Sequence, residues 1–78
     1  MTNRSRTERI AAAAEICQVN AADTVIDKFG IKAVREMDFN THLNAVTEEK
    51  ISQASYFADE YGVTTAEVLS ALGIEVTK

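Results

Sequence analysis

The chain has 78 residues, a formal net charge of −4, 46% hydrophobic and only 6% aromatic residues, and no tryptophan. Such a length holds one domain near the lower size limit for independent folding, and its core must be aliphatic and alanine-rich. Zero prolines and three glycines leave too few turn residues for a β-sandwich or a disordered linker, and a lone cysteine cannot close an internal disulfide, so a cytoplasmic protein without a membrane segment is expected.

The elements read as an all-α, compact bundle of four or five short helices in one domain, 1–78, with a flexible basic arm at 1–5 and a tail at 74–78. Ser5 with Glu8 fits the S/T-x-x-E capping box and predicts a helix from about Arg6 to Val19. A further helical piece follows from about Ala21 to Phe29; Asn20 with Asp23 either breaks the two or lies within one long helix. A short segment runs from Ile31 to Met37. Asp38 to Val46 is expected as a connector with a turn of helix near Leu43. Thr47, followed by Glu48 and Glu49, is the expected N-cap of a helix from about Glu48 to Tyr61. A last helix, from Thr65 to Leu72, starts at a second capping box of Thr64 and Glu67.

All three glycines lie between an apolar residue and an isoleucine or valine: Phe29-Gly30-Ile31, Tyr61-Gly62-Val63 and Leu72-Gly73-Ile74. This is how many helices stop, with glycine in the left-handed conformation and the next residue packed back on the last turn. The implied closing contacts are Ile26 with Ile31, Ala58 with Val63, and Leu69 with Ile74. The 3.6-residue period puts Ile10, Ala13, Ala14, Cys17, Ala21, Val25, Ile26 and Phe29 on one core stripe. Ile51, Ala54, Ala58 and Tyr61 form another, faced by Val68 and Leu72.

Within Phe57 to Ile74, FADEYGVTTAEVLSALGI, Ala58, Gly62 and Val68 take the small, turn and packing positions of a helix-turn-helix. The stretch resembles the phage-repressor type of that motif, which implies a transcriptional regulator using residues 51–72. It also resembles the N-terminal helical module of bacterial translation initiation factor two, which implies a place in translation or RNA machinery. A nucleic-acid reading names Arg4, Arg6 and Arg9 for phosphate contact and Thr64, Thr65 and Ser70 on the last helix. Against it, no Arg, Lys, Asn or Gln occurs between Val63 and Leu72 to make bidentate bonds to base edges. Residues 41–78 hold two basic and six acidic side chains, and residues 1–40 hold six of each, so the half with the motif carries the whole net charge. Phosphate is repelled by such a surface.

The preferred expectation is therefore a small acidic protein that binds another protein, as a regulator or inhibitor of the phage or plasmid type, or that pairs with itself. An acidic surface suits the basic groove of a nucleic-acid-binding protein. Phe39, Leu43, Tyr56 and Phe57 are the candidate interface residues: the consecutive Tyr56 and Phe57 cannot both share the Ile51–Ala58 face, and Phe39 and Leu43 lie in the least regular part of the chain; the alternative is a small core that uses all four. His42 has no second histidine or cysteine cluster beside it, Cys17 sits on an apolar stripe, and no glycine-rich phosphate loop is present. Neither an enzyme, a metal site nor a cofactor is expected.

Overall fold

The computed structural model describes residues 5–75 and contains four helices: α1 (Arg6–Phe29), α2 (Ile31–Glu36), α3 (Phe39–Tyr61) and α4 (Thr65–Ala71). Arg9 meets the Tyr61–Gly62 end of α3 and Lys28 meets Glu49, so α1 and α3 run antiparallel. At ~1.5 Å per residue each of these two is about 35 Å long. α4 closes against the start of α1 and the end of α3, while α2 packs chiefly on α1, at the opposite end.

The two capping boxes form as the sequence indicates. The Ser5 hydroxyl accepts from the Glu8 amide at 3.1 Å while Glu8 accepts from the Ser5 amide at 2.9 Å, and Thr64 and Glu67 repeat the exchange. Of the arm expected at 1–5, only Ser5 lies within the described residues, and it caps α1. Gly62 and Gly73 close their helices by the expected return contacts, with Val63 N–H donating to the Ala58 carbonyl and Ile74 N–H to the Leu69 carbonyl, each at 2.9 Å. Gly30 behaves differently. Its φ of 87° comes with a ψ of 148°, outside the left-handed helical well, so the chain does not fold back and Ile31 opens α2 instead of packing on Ile26.

Of the two readings of Asn20, the one long helix holds: Asn20 lies inside α1, its carbonyl accepting the Thr24 hydroxyl at 2.8 Å and its side chain crossing to Gln53 at 2.9 Å. One further expectation is corrected. Residues 38–46 are not a connector. Asp38 is the N-cap of α3, accepting from the Thr41 amide at 2.8 Å, and Thr47 lies in the helix interior. Aspartate is a stronger N-cap than threonine, and its ionised side chain complements the positive helix end. The hydrogen bonds from Thr41 hold the Asp38 carboxyl below its usual range.

The core is small-residue throughout. Ala13, Ala54, Ala58, Val63 and Val68 form its centre, and Ile10, Phe57, Tyr61, Leu69 and Leu72 lean on it half-buried. Ala14, Cys17, Ala21 and Val25 continue the buried stripe along α1. Alanines at the crossing allow close helix approach but bury little area each. Between Asn20 and Lys28 the contact with α3 turns polar: Gln53 donates to the Thr24 hydroxyl at 2.9 Å and Lys28 pairs with Glu49 at 2.7 Å.

A candidate interaction surface

The N-terminal turns of α1 hold the α3–α4 junction. Arg6 forks onto Glu67 through two bonds, its Nε at 2.7 Å from Oε2 and its terminal nitrogen on Oε1. Arg9 donates to the carbonyls of Tyr61 and Gly62 at 3.2 and 3.0 Å, placing a cation at the negative pole of α3. Hydrogen bonds from Arg6 and then from Thr64 pull the Glu67 carboxyl down to about 2. Arg6 and Arg9 are therefore already engaged inside the fold, and Arg4 lies outside the described residues.

The helix α4 side chains named for base contact are placed as follows. The Thr64 hydroxyl accepts from the Glu67 amide and donates to its carboxylate at 3.0 Å, so both of its functions serve the cap. Thr65 is half-buried. Ser70 is exposed beside an open depression that it shares with Ala66, Gly73, Ile74 and Glu75. Around the turn, Ala58 and Val68 are buried and Gly62 is left-handed at φ 67°, which are the conformations those positions require for two helices to meet there.

The four interface candidates do not gather in one place. Tyr56 and Phe57 touch edge-to-face with ring centroids 5.0 Å apart, Phe57 leaning on the core and Tyr56 standing outward. Consecutive helical residues point about 100° apart, which divides them in this way. Phe39 and Leu43, one turn apart on α3, sit at the other end of the molecule, and Phe39 is 76% exposed. Two residues that the period assigned to the core join the exposed set. Phe29 is half-exposed because α1 ends there, and Ile51 is turned away from the α1-facing stripe of Glu49, Gln53 and Ala54. Ile31 is exposed as well, since Gly30 sends it forward.

From Ile26 to Gln53, 28 consecutive residues, no side chain is fully buried. This half comprises the end of α1, all of α2 and the first two-thirds of α3, and it presents Phe29, Ile31, Phe39 and Leu43 at 46–76% exposure. Large apolar residues are thus exposed in this half, while the fully buried positions of the described residues are held by alanine, valine and Cys17. Sequence reasoning found Phe39 and Leu43 here but missed Phe29 and Ile31. The available signal was a glycine flanked by two bulky apolar residues with Lys32 directly after, which reads equally as a helix stop.

Among the described residues no helix is long and apolar enough to cross a membrane, and no three His, Cys, Asp or Glu side chains gather as metal ligands do. Cys17 is buried, its thiol raised by loss of water contact and placed 3.5 Å from the Lys50 carbonyl. No family model, curated protein or solved structure matches the chain.

Proposed function

We propose that this is a protein-binding module, a small acidic helical protein that regulates or inhibits by docking its α1 end, α2 and α3 start onto a protein surface. The observation that carries the reading is the inverted distribution of side chains in residues 26–53, where bulky apolar groups are exposed and nothing is fully buried. Exposed bulky apolar groups at one end of a small domain are what an interface core draws on. A six-residue helix is also too short to persist by its own propensity.

The alternative reading, a DNA-binding regulator using residues 51–72, draws support from the buried Ala58 and Val68 around the Gly62 turn. Of the three arginines it names, Arg4 lies outside the described residues, and Arg6 and Arg9 would reach phosphate only by breaking bonds they already make. Hydrogen exchange on dilute free protein tests the first reading. Amides of 26–53 are expected to exchange at least about tenfold faster than those around Ala13, Ala54 and Val68, because local opening there exposes little that was buried. Uniform protection across both halves would count against it. Retention of bulk DNA at low salt, lost steeply as salt rises, would favour the alternative.

A further inference from the structure

We infer that the occupant of this surface is a second copy of the same chain, packed about a two-fold axis with α2 and the start of α3 facing their equivalents. The inference rests on the protein-binding reading and names its partner.

Charge selects the partner. Residues 26–53 carry four basic and five acidic side chains, a net of −1, whereas the other described residues carry two basic and seven acidic, a net of −5. A basic partner would be drawn to the second group, away from the uncovered apolar surface. The uncovered half is the one place where two copies approach without strong mutual repulsion. It also carries both signs at close spacing on one short stretch: Lys32 and Arg35 on α2 form no ion pair among the described residues, and Glu36 follows them directly. In a two-fold interface each patch meets itself reversed, so a patch holding both signs complements its own copy.

Size agrees with this. Phe29, Ile31, Phe39 and Leu43 are each about half to three-quarters exposed. At ~150–250 Å² for an aromatic side chain, Phe29 and Phe39 together leave on the order of 200–300 Å² exposed, to which the half-exposed Ile31 and Leu43 add. A standard interface buries about 800 Å² per partner, with an apolar core and a polar rim, and these four residues would supply much of that core with the α2 charges available for the rim.

Sedimentation over a range of concentrations tests the inference with three variants on exposed positions. Phe39 is the first residue of α3, where an acid suits the helix dipole, so Phe39→Glu leaves the monomer folded by circular dichroism. The wild type is expected to dimerise at micromolar concentration. Phe39→Glu and Leu43→Glu should each weaken the dimer at least about tenfold, while Val19→Glu, exposed on the acidic half, leaves it unchanged. A dimer weakened by Val19→Glu and indifferent to the other two would overturn the assignment of the face. A wild type that stays monomeric at high micromolar concentration would overturn self-association. In that event fast exchange over 26–53 keeps a different protein as the partner, and full protection there removes the protein-binding reading too.

Discussion

Gly62 shows how much one residue decides in this chain. Its φ of 67° lies where a Cβ is disfavoured, and an added Cβ would stand 3.0 Å from the Arg9 guanidinium. Gly62→Ala is expected to cost about 1–2 kcal/mol in chemical denaturation, with loss of the Arg9 bonds to the turn. Val68 is wholly buried in a core that has few groups larger than alanine, and Val68→Ala should cost about 2 kcal/mol. Glu67 supplies a pH dependence whose sign follows from its lowered pKa. A carboxyl that titrates near 4.5 unfolded and at about 2 folded contributes stability above the first value and loses it as pH falls toward the second. The pair with Arg6 is solvent-exposed, so the effect is modest and screened by salt. Thermal melts of wild type and Glu67→Gln should differ at neutral pH and converge as pH falls from about 4.5 toward about 2.

At the level of elements, the start of α3 separates two readings of the same residues. If Asp38 caps the helix, Asp38→Ala costs about 1 kcal/mol and frays residues 39–43, whereas Thr47→Ala, inside the helix, changes stability by no more than about 0.5 kcal/mol. Backbone amide shifts of the two variants check this; fraying from Thr47→Ala alone would restore a connector at 38–46. The starts of α1 and α4 and the end of α3 were legible in the sequence because the two capping boxes and the left-handed Gly62 act within a few residues. The beginning of α3 was obscured by three consecutive residues, Thr47-Glu48-Glu49, that imitate a start but follow a helix already under way. Likewise Asn20 looks like a breaker locally, and only Gln53, thirty-three residues on, turns it into a crossing contact. Of the candidate surface, Phe39 and Leu43 could be read from the chain. Phe29 could not, because whether a helix's last residue is covered depends on where its neighbour has gone.

For the molecule as a whole, stability should be unevenly spread. The α1–α4–α3 end contains the core cluster, both arginine contacts and both capping boxes, while toward the other end the buried stripe narrows to Ala21 and Val25 beside the polar ladder around Gln53. Ala13→Leu, which wedges α1 from its neighbours at the cluster, should therefore cost about 1–3 kcal/mol and unfold the chain globally. Ile31→Ser should leave the melting midpoint of the dilute monomer nearly unchanged, since Ile31 is already half-exposed. A midpoint lowered as much by Ile31→Ser as by Ala13→Leu would contradict this division.

The Arg6–Glu67 clasp joins residues 61 positions apart. During synthesis α1 emerges first, yet the groups that hold its beginning are made last. Until the residues from Val63 to Val68 are free to fold, the α1–α3 hairpin has neither its clasp nor two of its three core valines, Val63 and Val68. This end of the fold therefore waits for the α4 segment, and a chain truncated before Thr64 would lack the clasp and leave the apolar groups of the α1–α3 hairpin open to whatever apolar surface is near.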